Sequence, residues 1–170
     1  MSTLSSVSIG LIDPKSPSNV GAVMRAAGCY QANEVRYTGI RFARAAKYHT
    51  DTQNRASQIP LIQVDDILSP LAESLSIVCI ELVEGASLLT EFEHPQNALY
   101  VFGPEDGSIP QNVIDRAHSV VYIPTDGCMN LAATVNVVLY DRLSKLAPSG
   151  YDDDDIARNR DTNNRLTLNR

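Results

Sequence analysis

The chain has 170 residues, of which 44% are hydrophobic and 20% are charged, values that are ordinary for a globular protein. This length suits one domain with a sizeable core. No stretch has the length of a membrane span, and the N-terminus lacks the basic start and apolar core of a signal peptide. We therefore expect a soluble, cytoplasmic protein. The net charge of −6 argues in general against a nucleic-acid partner.

Cysteine and histidine residues show neither the spacing of a metal site nor that of a disulfide framework. The odd number of cysteines indicates free thiols, and no histidine has a second ligand at i+3 or i+4. These residues are Cys29, Cys79, Cys128, His49, His94 and His118. We expect no metal ion.

Predicted strands and helices alternate with short connections, which favours an α/β fold with a mostly parallel sheet and helices on both faces. Strands are predicted over 7–12, 34–38, 59–64, 76–82, 98–102 and 120–123. Helices are predicted over 17–30, 65–74, 110–118 and 129–146, and residues 39–58 are predicted to be loop with a helical turn. Ser18 or Asn19 suits the N-cap of the first helix.

The last predicted helix and the chain after it have contrasting compositions. Helix 129–146 is apolar around much of its circumference. One face of a sheet would cover only part of that apolar surface. It is therefore either deeply central or covered by a second chain, and the latter predicts a homodimer through this helix. From residue 148 the sequence turns polar, so we divide the chain into a domain over 1–147 and a flexible tail over 148–170.

Two glycine- and proline-rich loops point to a ligand site. Each follows a predicted buried strand, within 99–110 and 123–131, and the carboxyl ends of strands are where open α/β sheets bind ligands. A third informative block, Asn19–Gly28, is a helix of small residues interrupted by the long cation Arg25. A structural alternative is that Arg25 pairs with Glu105 and that Asn19 only caps the helix.

A cluster of basic residues lies between positions 36 and 55, where Asp51 is the only acid. The cluster has two interpretations, a solvated loop surface or a phosphate-contacting patch, and composition alone does not choose between them. Its members are Arg36, Arg41, Arg44, Lys47 and Arg55.

Together the three blocks resemble the signature motifs of the SPOUT methyltransferases, specifically the TrmH-like RNA ribose 2′-O-methyltransferases. Residues 19–25 match the first motif, 103–107 the second, and 123–131 with the following helix the third. The resemblance covers about residues 5–147. It implies a deep trefoil knot in the C-terminal half of the sheet, which periodicity alone does not suggest because knots are rare.

The resemblance also implies a cofactor, S-adenosylmethionine, held largely by main chain in the knotted loops. Its contacts would be Glu81, Leu82, Gly103, Ile123, Cys128 and Leu131. The implied catalytic residues are Arg25, Asn19, Glu105 and Asn130. An arginine is a poor base, so Arg25 would orient the ribose hydroxyl and stabilise developing alkoxide charge.

One departure from the family concerns the third motif, where members often carry two serines. Here the run is Cys128-Met129-Asn130-Leu131-Ala132-Ala133, which indicates that no motif-three hydroxyl takes part. The family completes its active site across a dimer, which agrees with the apolar last helix.

The substrate implied is RNA, with tRNA favoured over rRNA. The chain begins almost at the first strand, without room for a separate RNA-binding domain, and such minimal members act on an exposed anticodon-loop nucleotide. Alternatives are a non-catalytic RNA- or nucleotide-binding module, a generic doubly wound nucleotide-binding domain, and base methylation. The generic domain is disfavoured because no Gly-x-Gly-x-x-Gly follows the first strand.

Overall fold

A computed structural model of the protein describes residues 6–46, 59–146 and 151–168, and within them the strands form one sheet. The strands are β1 Val7–Leu11, β2 Glu34–Tyr37, β3 Leu61–Gln63, β4 Ser76–Ile80, β5 Ser87–Leu88, β6 Ala98–Phe102 and β7 Ser119–Tyr122. Their spatial order is β3-β2-β1-β6-β4-β7-β5, and every neighbouring pair is parallel. The predicted α/β fold with a mostly parallel sheet is confirmed.

The helices cover the two faces of the sheet unequally. Their bounds are α1 Pro17–Cys29, α2 Arg41–Ala46, α3 Gln111–Ile114, α4 Leu131–Leu146 and α5 Asp153–Asn159, with a 3₁₀ turn over Leu89–Glu91. One face carries α1 and α4, whose apolar side chains form a continuous core with β1, β4, β6 and β7. The opposite face is covered by α3 and by the irregular segment 65–75.

The helix predicted over 65–74 is wrong, because local side-chain bonding and a proline favour turns there. The Asp66 carboxylate accepts a hydrogen bond from the Leu68 N–H at 2.9 Å, a turn interaction that competes with helix formation. Pro70 has no N–H to continue a helix. Ile67 and Leu68 nevertheless bury their side chains in the second core.

The cap of α1 is Ser16, neither Ser18 nor Asn19. The Ser16 hydroxyl accepts a hydrogen bond from the Asn19 N–H at 3.4 Å, and Pro17 occupies the first helical turn, where its missing N–H costs nothing. The Asn19 side chain is therefore free for other contacts.

Helix α4 packs its apolar side against α1 and the sheet and leaves a stripe uncovered. Val135, Val138 and Leu139 are buried, whereas Val137 is 37% exposed and Tyr140 is 63% exposed. The homodimer through this helix and the trefoil knot stay predictions.

The polar tail is locally ordered, which composition alone did not indicate. In α5 the Asp152 carboxylate accepts from the N–H groups of Asp154 and Asp155, and the Asp155 carboxylate accepts from the Asp152 N–H at 3.0 Å. This capping box stabilises the short helix. The boundary at residue 148 stays a prediction.

Candidate functional site

A cleft of about 170 Å³ lies where three adjacent strands end. Its floor is formed by the last residues of β4, β6 and β7, which are Ile80, Phe102 and Tyr122. These strands are neighbours in the sheet although they lie far apart in the sequence, so the loops that follow them converge on the cleft.

All the residues predicted to contact the cofactor line this cleft. They are Glu81, Leu82, Gly103, Ile123, Cys128 and Leu131. The walls combine glycines of the loops with apolar side chains, and Met129, which was not predicted, adds to them.

Two threonines, Thr125 and Thr134, also line the cleft, and the absence of any third-motif hydroxyl from the chemistry stays a prediction. Thr134 lies one turn into α4, and its Oγ1 donates to the carbonyl oxygen of Asn130 at 2.9 Å. The signal available in the sequence was the i+4 spacing from Asn130, which places Thr134 on the same helix face.

Gly103 sits where the loop after β6 folds back on itself. A Cβ atom at this position would lie 3.1 Å from the Ile109 nitrogen and 3.2 Å from the Ser108 carbonyl carbon, both backbone atoms. The Glu81 carboxylate stabilises this conformation of the loop, because it accepts hydrogen bonds from the Ile109 N–H at 2.9 Å and from the Leu82 N–H at 3.0 Å. Glu81 therefore shapes the cleft through the backbone.

A hydrogen-bonded chain joins the three motifs at the edge of the cleft. Asn19 Nδ2 donates to Glu105 Oε1 at 3.0 Å, and Asn130 Nδ2 donates to Asn19 Oδ1 at 3.0 Å. Asn130 Oδ1 accepts from the N–H groups of Ala132 and Ala133 in the manner of an N-cap. Three of the predicted catalytic residues are thus brought together.

The Glu105 carboxylate also binds the loop after β1. Its oxygens accept from the Lys15 N–H at 2.9 Å and the Ser16 N–H at 3.1 Å. Burial alone would raise the pKa of Glu105, but the hydrogen bonds from Asn19 and from backbone N–H groups outweigh it and lower that pKa. The Glu105 side chain is therefore ionised, and it connects the loop after β6 to the loop after β1.

Arg25 is exposed on α1 and does not line the cleft of its own chain. Within the described residues it makes no hydrogen bond or ion pair, so the alternative in which it pairs with Glu105 is wrong; Glu105 bonds to Asn19 and the 15–16 backbone. The guanidinium is free to meet another molecule.

The predicted basic cluster does not form one exposed surface. Arg36 is only 9% exposed, its guanidinium pairs with Glu34 and donates to the Pro70 carbonyl oxygen, and its predicted RNA contact is therefore wrong. Arg41 is engaged by two aspartates, and Arg44 is exposed. Lys47 and Arg55 lie outside the described residues.

The described part of the chain contains neither a membrane-spanning helix nor a cluster of metal ligands. Over residues 6–46, 59–146 and 151–168, no helix is long and apolar enough to cross a bilayer. In the same part of the chain, no group of three or more potential ligands is placed to hold a metal ion.

Solved structures with this architecture are numerous. The SpoU methyltransferase AviRb from Streptomyces viridochromogenes, in complex with AdoMet, aligns with a TM-score of 0.64 and 17% identity over 85% of this chain and 59% of that one. The TrmH/SpoU tRNA modifying enzyme of A. aeolicus aligns with a TM-score of 0.65 and 15% identity over 83% and 75%.

A third structure, described as giving insights into the 2-OH methylation of C/U34 on tRNA, has a TM-score of 0.64 and 22% identity. The alignment covers 83% of this chain and 96% of that one. By contrast, this chain spans about three fifths of the length of AviRb. These likenesses establish the fold.

A search among curated proteins finds no match. The sequence model of the SpoU rRNA Methylase family, however, matches residues 6–140, which include all three motifs and every strand of the sheet. The chain therefore belongs to the SpoU rRNA methylase family.

Proposed function

We propose that this protein is an S-adenosylmethionine-dependent RNA methyltransferase that modifies a ribose 2′-hydroxyl, with tRNA as the substrate. The observation that carries the proposal is the meeting of the three motifs. Asn19, Glu105 and Asn130 form one hydrogen-bonded chain beside the cleft that contains every predicted cofactor contact. Family membership supports RNA methyl transfer, and the 96% coverage of the tRNA 2-OH methylation structure supports tRNA.

The cleft fits S-adenosylmethionine by its chemistry. The apolar side chains of Leu82, Ile123 and Leu131 suit an adenine ring, and the loops offer backbone edges for its polar atoms. At Gly103 the missing side chain allows the 108–109 backbone to pack closely beside the cleft. When bound, the cofactor supplies a methyl group on a sulfonium centre.

Arg25 is the residue we propose to act on the ribose. A guanidinium keeps its proton at physiological pH, so Arg25 orients the 2′-hydroxyl and stabilises negative charge that develops on its oxygen. Asn19 and Asn130 hold the rim of the cleft in one geometry, and Glu105 fixes the two loops below them.

Arg25 would serve the cleft of a second copy of the chain. It lies outside its own cleft, on the α1 surface where Ala22 is also exposed, and α1 packs against α4, the helix that carries the uncovered Val137 and Tyr140. A two-fold contact through this face buries the apolar stripe and brings each Arg25 to its partner.

The RNA surface we propose is smaller than the basic cluster in the sequence. Arg44 is exposed on α2 and remains a candidate phosphate contact, as do Lys47 and Arg55. Arg36 is excluded by its burial. The family description names rRNA, which makes rRNA the second candidate substrate. The test therefore includes both kinds of RNA.

The test is methyl transfer from labelled S-adenosylmethionine to purified tRNA and rRNA, followed by nuclease digestion and mass spectrometry of the nucleosides. We expect a 2′-O-methyl nucleoside from tRNA. A methylated base would refute the ribose assignment, and a mark confined to rRNA would correct the substrate. Calorimetric titration with the cofactor and with S-adenosylhomocysteine measures cofactor binding in parallel. RNA binding without any methyl transfer would favour the alternative function, a non-catalytic RNA-binding module.

A further inference from the structure

Arg41, the first residue of α2, joins the loop after β1 to the loop after β6. Its Nε lies 2.8 Å from Asp13 Oδ2, and its Nη2 donates to the Asp13 carbonyl oxygen at 2.5 Å. Its Nη1 lies 2.9 Å from both carboxylate oxygens of Asp106. All three guanidinium nitrogens are therefore engaged within the protein.

One of the two loops joined by Arg41 lines the cofactor cleft, and the other is bonded to it through Glu105. Asp106 stands between Glu105 and Gly107, both of which line the cleft. Asp13 begins the loop whose 15–16 backbone holds Glu105. Displacement of Asp106 would therefore move the main chain of the cleft wall directly, and displacement of Asp13 would act on it through the backbone that holds Glu105.

Asp13 itself has a backbone conformation that needs support. Its φ is 41°, in the left-handed region that non-glycine residues rarely adopt. Thr38 Oγ1 accepts from its N–H at 3.2 Å, and a Cβ on Gly39 would lie 2.0 Å from Asp13 Oδ1. The absence of a side chain at Gly39 therefore leaves the space that the Asp13 carboxylate occupies when it contacts Arg41.

We propose that Arg41 is a positioning residue that sets the geometry of the 103–107 loop and thereby the affinity for the cofactor, and is not an RNA contact. The proposal rests on the proposed function only in taking S-adenosylmethionine as the ligand of the cleft. Arg44, one turn further along α2, is exposed and serves as the contrasting residue.

The electrostatics of the contact agree with this role. A hydrogen bond from Arg41 is the largest influence on the pKa of Asp106 and lowers it, and Lys15 Nζ lies 3.6 Å from the same carboxylate. Exposed ion pairs contribute little to global stability. The contact of Nη1 with both Asp106 oxygens instead constrains the direction of the loop, so its loss affects the cleft more than the fold.

The first experiment measures cofactor affinity by calorimetry on the full chain without RNA. We expect Arg41→Gln and Asp106→Asn each to weaken S-adenosylmethionine binding about tenfold, the effect of losing a charge-assisted hydrogen bond. The double variant should be no weaker than Arg41→Gln alone, because Arg41→Gln already removes the contact with Asp106 that Asp106→Asn removes. Arg44→Gln is the matched control and should leave cofactor affinity unchanged.

A second readout does not require any ligand. Hydrogen exchange at the Gly107 and Ile109 amides, which bond to Pro104 and Glu81, should accelerate in Arg41→Gln. The Val101 amide, within β6, should keep its protection. Arg41→Lys retains the charge but only one point of contact, so it should give intermediate values, and it carries the test if Arg41→Gln does not fold.

The opposite outcome is equally specific. If Arg41→Gln weakens RNA binding and leaves cofactor affinity and loop exchange unchanged, Arg41 is an RNA contact and the positioning role is wrong. If the loop and cofactor effects appear while no RNA is methylated, the positioning role stands and the proposed function fails.

Discussion

The side-chain amides of Asn19 and Asn130, 111 positions apart in the chain, meet at 3.0 Å. Each amide uses its other end elsewhere: Asn19 donates to Glu105, and Asn130 accepts from the first turn of α4. One contact thus connects the start of α1 to the start of α4 beside the cofactor cleft.

Substitutions at Asn130 should separate its capping role from its link to Asn19. Asn130→Asp keeps an acceptor for the α4 N–H groups but cannot donate to Asn19, so we expect lost methyl transfer with little change in thermal midpoint. Asn130→Ala removes both roles and should also lower the free energy of unfolding by about 1 kcal/mol. Equal activity of Asn130→Asp and the parent would remove this link from the site.

Arg25→Ala should abolish turnover and leave cofactor affinity nearly unchanged, because Arg25 lies outside the cleft. Mixing it with Gly103→Val tests the two-fold site. If Arg25 serves the partner's cleft, a mixed dimer of the two inactive variants contains one complete site and regains activity. If Arg25 serves its own cleft, the mixture stays inactive, and size-exclusion chromatography confirms that dimers have formed.

Gly103→Ala should weaken cofactor binding at least about tenfold, because the added Cβ pushes against the 108–109 backbone. Gly28→Ala, on α1 and outside the cleft, is the control, since no atom beyond the helix's own backbone lies within 4 Å of the Cβ that it would add. Calorimetry of both variants checks the prediction. Equal losses would mean that the close approach at Gly103 has no special role.

Arg44→Gln should weaken RNA binding and reduce the slope of log K against log salt by about 1. Arg116→Gln, on the opposite face of the sheet beside Asp66, should leave the slope unchanged. Filter-binding titrations over a range of salt concentrations measure both. A slope unaffected by Arg44→Gln would remove α2 from the RNA surface.

His94 should make the stability of the protein pH-dependent. Its ring lies between the Tyr100 hydroxyl at 2.6 Å and Asp141 Oδ2 at 2.8 Å, with Lys145 and Arg142 nearby. Burial lowers the pKa of His94, and this effect outweighs the rise in pKa that Asp141 causes. The folded state therefore resists protonation that the unfolded chain accepts near pH 6.5.

The stabilisation from a neutral His94 is complete above about pH 6.5 and is lost as the pH falls below it. One group contributes a slope of at most about 1.4 kcal/mol per pH unit. Denaturant titrations between about pH 7.5 and 5.5 measure it, and His94→Gln should flatten the profile in this window. An unchanged slope in that variant would assign the dependence to other groups.

The sheet and the cleft could be predicted from local sequence patterns, because both depend on apolar runs and on the residues that directly follow them in the sequence. The strands near residues 76, 98 and 120 are apolar runs that are followed by Glu81, Gly103 and Pro124, and the cleft lies at their carboxyl ends. The resemblance to a family added the cofactor contacts, which the cleft brings together.

Contacts between distant residues could not be predicted from the same patterns. Arg36 and Arg41 both appear as cations in a basic stretch, yet one is buried against Glu34 and Pro70 and the other bridges Asp13 and Asp106. The Glu34–Arg36 pair was accessible in principle, because residues i and i+2 share one face of a strand. The partners of Arg41 are set by the folded sheet.

The sheet order has a consequence for folding kinetics. Strand β6 lies between β1 and β4, and its pairing with β1 joins Val7 to Ala98. Parallel pairing across so long a stretch of chain raises the contact order and slows folding. The cleft forms only once these strands are aligned, so the cofactor should bind late during folding. The bound cofactor should then slow unfolding.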